Sequence, residues 1–128
     1  MVAKSAKTRK AKGRALQNWI AEKISELLGI TCGKDELISS REMGQAGTDI
    51  RLIGKALELF KFSIECKNKE VWDIHNAIKQ AKSNQKEGTA WLLFMKRSRQ
   101  EPVVVMDAEE FFKLYKKILE KNDGLETK

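Results

Sequence analysis

The chain has 128 residues, 41% of them hydrophobic and 34% charged, and its 25 basic against 18 acidic residues give a formal net charge of +7. This length suits a single domain, no apolar run approaches the roughly 20 residues of a membrane-spanning helix, and we expect no secretory signal because no apolar stretch follows the basic N-terminus. Two cysteines without CxxC spacing and a single histidine argue against a structural zinc site, so we expect a reduced, cytoplasmic protein with no membrane partner.

The positive charge is concentrated in two stretches of the chain. Residues 1–14 hold six basic side chains and no acidic one, so that nineteen basic and eighteen acidic residues remain in 15–128. Within this remainder, residues 67–99 hold eight basic and three acidic side chains. A basic segment and a basic patch favour a polyanion, most often nucleic acid, because phosphate contacts release counterions. A solubilising tail is the alternative interpretation of the N-terminal charge.

The chain divides into an N-terminal arm, one domain and a short tail. We expect a flexible basic arm over 1–13, a single domain over 14–122 and a C-terminal tail over 123–128. Within the domain, apolar residues at helical spacing predict helices over about 14–28 and 72–85. Asp107 is a suitable N-cap for a last helix. The apolar face of that helix consists of Phe111, Phe112, Tyr115, Ile118 and Leu119.

Strands are predicted between these helices. Alternation of apolar and polar residues predicts strands over 37–42, 48–53 and 59–67, with a loop around Gly54. The continuous apolar run 90–95 is typical of a strand covered on both faces, and residues 103–106 form a shorter buried strand. The order α-β-β-β-α-β-β-α predicts an α/β (α+β) fold in which helices flank a mixed sheet of about five strands.

Two of the predicted strands place charged side chains where they can meet. Alternation puts Glu65 and Lys67 on one face of the strand 59–67, and Asp49 on the polar face of the preceding strand. If the two strands are neighbours, these three side chains converge. Two carboxylates with a backbone carbonyl can hold Mg²⁺ or Mn²⁺, and a lysine beside them can orient or deprotonate an attacking water. A solvated strand face is the alternative.

The sequence Gly44-Gln-Ala-Gly47-Thr-Asp49, followed by Glu65-Cys66-Lys67, resembles the PD-(D/E)XK nuclease superfamily. In that superfamily a glycine-rich turn leads to a metal-binding aspartate, and the next strand carries (D/E)-X-K. The resemblance implies a restriction-endonuclease-like fold and a Mg²⁺ cofactor for which Mn²⁺ can substitute. It further implies that Asp49, Glu65 and the Cys66 backbone carbonyl bind the metal, and that Asp49, Glu65 and Lys67 are catalytic.

Within the superfamily, the chain is similar to archaeal-type Holliday junction resolvases and their phage-encoded relatives. The features that match are a Lys12-Gly13 step into the first helix and Arg41 upstream of the turn. Those proteins have a glutamate four places after the glycine, whereas this chain has Gln17, which could still orient a water. The similarity implies a homodimer that makes paired symmetric nicks in four-way DNA junctions during recombination and repair, in the host cytoplasm or nucleoid if phage-encoded.

Basic and polar side chains around these motifs are expected to contact DNA. Arg41 would clamp the scissile phosphate, and the arm and the basic patch would hold the backbone. The complete set is Lys4, Lys7, Arg9, Lys10, Lys12, Arg14, Ser40, Arg41, Asn68, Lys69, Gln80, Lys82, Lys96, Arg97 and Arg99. We expect His75 to face solvent, and Phe111 and Phe112 to lie in the core or in a dimer interface.

Two other functions fit the same residues. The first is a nuclease with the same chemistry that acts on flaps, single strands or plain duplex DNA. The second is a DNA-binding protein without catalysis, in which the carboxylates form a solvated face and the basic residues supply the affinity.

Overall fold

The computed structural model describes residues 6–41 and 47–126. Nine elements follow one another in this part of the chain: α1 (Ala6–Leu28), β1 (Ile38–Ser40), β2 (Ile50–Leu52), α2 (Gly54–Leu59), β3 (Phe62–Asn68), α3 (Ile74–Ser83), β4 (Ala90–Lys96), β5 (Val103–Met106) and α4 (Ala108–Glu126). The predicted class is confirmed: helices flank a mixed sheet of five strands. No helix among the described residues is long and apolar enough to cross a membrane.

The five strands lie in the sheet in their sequence order, β1-β2-β3-β4-β5. All neighbouring strands are antiparallel except β3 and β4, which run parallel over seven residue pairs. They run parallel because α3 carries the chain back to the end of the sheet at which β3 begins. Helix α3 therefore covers one face of the sheet beside β3 and β4, and helix α1 covers the other face.

Alternation along the strands divides the core into two clusters. On the α1 side, Leu16, Ile20 and Ile24 pack on strand residues that include Ile64 of β3. On the α3 side, Ala77 and Ala81 pack with Trp91, Leu93 and Met95 of β4. Strand β4 contributes to both clusters, as expected for the run 90–95, which is covered on both faces.

Helix α1 is longer than predicted. It begins at Ala6, so residues 6–13 continue the helix and the predicted start at residue 14 is wrong. Alanine and lysine favour helix over this segment, and the Lys12 ammonium lies 3.3 Å from a Glu70 carboxylate oxygen and 2.9 Å from the Ser98 hydroxyl. The bond from the Ser98 backbone N–H is the main reason that the pKa of Glu70 is lowered to about 2. These contacts join the first turns of α1 to the loops after β3 and β4.

Other predicted boundaries shift by a few residues. The loop expected around Gly54 is the short helix α2, because residues 55–59 are good helix formers, and β3 begins at Phe62 rather than at residue 59. At the C-terminal end, Asp107 caps α4 as predicted, since its carboxylate accepts a hydrogen bond from the Glu110 backbone N–H. The predicted tail boundary at 122 falls inside this helix.

Candidate active site

The site begins where β2 and β3 meet. The register pairs Ile50 with Ile64, which places Asp49 beside Glu65 and Cys66. The Asp49 backbone N–H donates to the Ile64 carbonyl at 2.9 Å, and its side-chain carboxylate accepts from the Cys66 backbone N–H at 2.7 Å. The Asp49 carboxylate is thus fixed against the middle of β3 by a charge-assisted hydrogen bond.

Glu65 lies on the polar face of β3, and this face is buried. Its side chain is 2% exposed because the end of α3 and the following loop cover it. The Asn84 side-chain amide donates to the Glu65 carboxylate at 3.0 Å. Two residues before Glu65, on the same face of β3, the Ser63 hydroxyl lies 2.7 Å from the Thr89 hydroxyl and accepts a hydrogen bond from the Lys86 backbone N–H. The predicted polar face is therefore buried at Ser63 and Glu65 and is not a solvated surface there.

Burial makes both carboxylates costly to ionise, and the Asp49 charge adds to this cost at Glu65. Burial raises the pKa of Glu65, and the Asp49 charge raises it further, while the Asn84 bond and Lys67 lower it. Burial likewise raises the pKa of Asp49 above its usual value, against the Cys66 N–H bond, Lys67 and Arg41. Two buried carboxylates that repel each other form a site that a cation would stabilise.

The Cys66 main chain also belongs to this site. Its N–H points to Asp49, and a strand residue directs its N–H and its C=O to the same side. The Cys66 carbonyl therefore faces the β2 edge, beyond the Ile50–Ile64 pair, on the side where Asp49 lies. The Cys66 side chain instead packs against the core on the α1 side, and burial raises the pKa of its thiol well above the usual range.

Arg41 lies over the turn that leads to Asp49. Its backbone N–H donates to the Asp49 carbonyl at 2.8 Å, and its guanidinium Nε donates to the Thr48 carbonyl. The guanidinium passes so close to Gly47 that a Cβ there would meet it at 3.2 Å, and Gly47 has a φ of +101°. The backbone conformation therefore favours a glycine at 47, and a side chain there would also displace the arginine slightly. Gly44, the other predicted turn glycine, lies outside the described residues.

Lys67 follows two residues after Glu65 on the same face of β3, opposite Met95 of β4. It is half-buried and lines a cleft of about 220 Å³ together with Trp72, Gln80 and other residues of the α3 side. The Lys67 charge lowers the pKa of both Asp49 and Glu65. The predicted convergence of the three charged side chains on one side of the sheet is therefore present.

The donor set fits a divalent cation of the Mg²⁺ type. Asp49, Glu65 and the Cys66 carbonyl supply hard oxygen ligands, and the repulsion between the carboxylates favours a doubly charged ion. Within residues 6–41 and 47–126, no group of three or more His, Cys, Asp or Glu side chains converges. The first helix offers Gln17 in place of an acid, and this side chain is 5% exposed on α1. The described side chains at the site thus include two carboxylates, those of Asp49 and Glu65, and this set suits one cation.

The residues predicted to contact DNA have diverse environments. Lys7, Arg9, Lys10 and Arg14 are exposed on α1, Lys12 is bonded to Glu70, and Lys4 lies outside the described residues. The Asn68 amide donates to the Lys12 carbonyl and the Ser40 hydroxyl donates to Asn18. Lys69, Gln80, Lys82, Arg97 and Arg99 are exposed, Lys96 is half-buried, and the Arg97 guanidinium lies 5.8 Å from the centre of the Trp72 ring. His75 is exposed, as predicted.

Asn84 is the site residue that the sequence pattern missed. It follows α3 as its C-cap, nineteen positions after Glu65, where an asparagine is ordinarily explained by helix termination. The signal available in the sequence was its polarity at the end of the helix that follows β3. Its contact with Glu65 depends on how α3 packs on β3.

A mixed five-stranded sheet with Asp49 before β2 and Glu65 and Lys67 on β3 defines the PD-(D/E)XK class of nucleases. Comparison with protein families gives the particular family. Residues 8–127 match the model described as "Phage putative PDDEXK endonuclease", and the chain belongs to this family. A search of curated proteins and a search of solved structures each gave no match.

Replacing Glu65 with glutamine is expected to stabilise the metal-free protein above neutral pH. A carboxyl whose pKa is raised by folding destabilises the native state once it is ionised, and this cost disappears as the pH falls below its unfolded value. We expect Glu65→Gln to raise the Tm in EDTA by about 2–4 °C, or about 1 kcal/mol, at pH 8. The difference in Tm between the variant and the wild type, measured by calorimetry, should shrink toward pH 4.

The matched control for this prediction is Glu58→Gln on α2, where the carboxylate is exposed and lies 3.9 Å from the Lys55 ammonium. It should change the Tm very little at either pH, as most surface substitutions do. Added Mg²⁺ should raise the Tm of the wild type and leave that of Glu65→Gln nearly unchanged. A Glu65→Gln protein that is less stable than the wild type at pH 8 in EDTA would contradict the proposed repulsion.

Replacing Asn84 with alanine is expected to weaken metal binding at Glu65. A partner that holds a metal ligand by a hydrogen bond typically contributes tenfold to a hundredfold to metal affinity. We expect Asn84→Ala to raise the Mg²⁺ concentration for half-maximal cleavage by about tenfold, with a smaller change in the rate at saturating Mg²⁺. The control is Gln85→Ala, at the position that follows Asn84. The Gln85 side-chain amide donates to the Thr89 carbonyl, so its loss should leave the Mg²⁺ requirement unchanged.

Proposed function

We propose that this endonuclease is a Mg²⁺-dependent Holliday junction resolvase that cuts four-way DNA junctions by paired symmetric nicks. The observation that supports its chemistry is the convergence of Asp49, Glu65 and Lys67 at the junction of β2 and β3. The substrate preference is supported by the resemblance of the Lys12-Gly13 step, Arg41 and the E-X-K segment to junction resolvases.

In the proposed reaction, the Lys67 ammonium orients a water molecule for in-line attack on the scissile phosphorus, and the water releases its proton to solvent. A new P–O bond forms while the bond from phosphorus to the 3′-oxygen breaks. The departing 3′-oxygen takes up a proton from solvent, and the products are a 5′-phosphate and a 3′-hydroxyl. Asp49, Glu65 and the Cys66 carbonyl would hold Mg²⁺, which when bound offsets the charge that develops on the phosphate oxygens.

Arg41 is placed to position the substrate in this reaction. Its guanidinium lies over Gly47 and next to the Asp49 charge, at the entrance to the paired carboxylates. A guanidinium in this position can bind two oxygens of the scissile phosphate. Lys7, Arg9, Lys10 and Arg14 are exposed on α1, and the exposed basic side chains of 67–99 would hold the DNA backbone on either side of the cut.

The deciding experiment compares four labelled substrates that share one sequence: a four-way junction, a flap, a duplex and a single strand. We expect Mg²⁺-dependent cleavage of the junction at two symmetric positions, with little cleavage of the other three. Equal cutting of the duplex would overturn the junction preference and leave a general nuclease. A wild-type protein that binds DNA and never cleaves it would favour the non-catalytic alternative.

A further inference from the structure

Helix α4 presents an apolar face that its own domain does not cover. Among the described residues, it makes no extended contact with any other helix or strand. Its large apolar side chains belong to neither core cluster and are between 43% and 67% exposed. They are Phe111, Phe112, Leu114, Tyr115, Ile118 and Leu119. Their spacing places them along one side of the helix, so they form a continuous stripe. Of the predicted alternatives for Phe111 and Phe112, the core is excluded.

The opposite side of α4 is charged, and it is this side that faces the domain. An open groove of about 770 Å³ separates α4 from α2 and from the start of β3. Its lining on α4 consists of charged residues and of Leu114, which lies at the border of the stripe, and Glu58 and Lys61 lie opposite. The charged residues of α4 are Glu110, Lys113, Lys116, Lys117 and Glu120. A helix that folds onto its own domain ordinarily does so with its apolar side. The reversed orientation directs the apolar stripe away from the domain.

Strand β5, which precedes α4 in the chain, is also partly uncovered. It is an edge strand of the sheet that pairs only with β4, and Val103 and Val104 are 44% and 49% exposed. An exposed apolar edge strand is a site at which another chain can dock. Val103 and Val104 are consecutive in β5 and point to opposite faces of the sheet, so the two do not extend the stripe together. The six side chains of the stripe offer on the order of 600 Å², since large apolar side chains about half-exposed leave about 100 Å² each. Two such stripes would bury about 1,200 Å², which is the lower end of the range for specific interfaces.

We infer that this surface joins two copies of the chain in solution through antiparallel pairing of their α4 helices about a two-fold axis. The area is sufficient for a dimer, and the charges at the border of the stripe are self-complementary. Glu110 and Lys121 lie on the same border of the stripe, five residues before Tyr115 and five after Lys116. Antiparallel pairing centred between Tyr115 and Lys116 brings Glu110 opposite Lys121 of the partner subunit, and symmetry repeats this pair.

The apolar stripe of α4 is the surface through which a dimer would bring two active sites to one four-way junction. The inference rests on the proposed function only for the use of the dimer, because the interface itself is measured without DNA. The site lies at β2 and β3, and the interface lies on α4, which makes no extended contact with these strands, so the interface leaves the catalytic carboxylates uncovered. A monomeric variant should therefore keep its metal site and its fold.

The test is the mass in solution, measured by light scattering and by sedimentation equilibrium. We expect the wild type to have twice the 14.6 kDa of the single chain. Phe112→Glu, at the most exposed position of the stripe, should raise the dimer dissociation constant at least about 100-fold. Leu27→Glu is the control, because Leu27 is 69% exposed on α1 and far from the stripe in sequence, and it should remain dimeric.

A charge exchange tests the antiparallel arrangement. Glu110→Lys should weaken the dimer about tenfold, and Glu110→Lys combined with Lys121→Glu should restore it. A wild type that stays monomeric, or a Phe112→Glu protein that stays dimeric, overturns the inference, and a double variant that is no better than Glu110→Lys overturns the proposed orientation. A dimer that never cleaves DNA would refute the proposed function while leaving the interface intact.

Discussion

Replacing Lys67 with alanine is expected to lower the single-turnover rate of DNA cleavage by about 10²–10⁴-fold while leaving DNA affinity within a few-fold of the wild type. A positioned acid–base group typically contributes this range. Lys67 is half-buried on β3 beside the two carboxylates, and its charge lowers the pKa of both of them. The substitution removes the group that orients the attacking water and one of the charges that hold the carboxylates ionised, so both effects reduce the rate.

Lys61→Ala is the matched control for this variant. Lys61 lies six residues earlier, immediately before β3, is exposed, and lines the groove beside α4 instead of the active-site cleft. It removes the same charge from the same segment and should leave the rate nearly unchanged. Cleavage should be followed by rapid quench with saturating Mg²⁺, and affinity by fluorescence anisotropy in Ca²⁺. A Lys67→Ala protein that cleaves at the wild-type rate would show that the lysine is not catalytic.

Replacing Gly47 with alanine should reduce both stability and activity. The φ of +101° is unfavourable for any side chain, which is expected to cost about 1–3 kcal/mol. The new Cβ would also lie 3.2 Å from the Arg41 guanidinium. The arginine is the more mobile partner, so it should move away from the Thr48 carbonyl and from Asp49. We expect the cleavage rate to fall by about tenfold to a hundredfold, since small misplacements at a reacting centre have effects of this size.

Gly29→Ala separates the two effects. Gly29 has a φ of +69° after α1, and a Cβ there would meet no atom within 4 Å. It should therefore lose stability by about 1–2 kcal/mol and keep its cleavage rate per folded molecule. Arg41→Ala combined with Gly47→Ala should cleave no more slowly than Arg41→Ala alone, because both act through the same guanidinium. Purely additive losses in rate would show that Gly47 acts through the backbone only.

Alternation along the chain was enough to predict the faces of the strands. A strand directs successive side chains to opposite sides, so the pattern alone placed Ile64 in the core and Glu65 with Lys67 on the other face. The order of helices and strands followed from the same periodicity. Boundaries were less certain, and the extension of α1 to Ala6 depends on residues whose helix propensity is reinforced by contacts 58 and 86 positions away.

Strand pairing and helix packing determined the contacts between distant parts of the chain. The sequence by itself determined which side chains share a face, because that property is local to one strand or one helix. Only the tertiary structure brought Asp49 to the Cys66 N–H and Asn84 to Glu65, since these contacts depend on strand register and on where α3 ends. The same holds for α4: its sequence determined an apolar stripe, and the fold decided that the stripe faces outward. Contacts between distant segments arise from the assembly of the whole sheet, and no local pattern contains them.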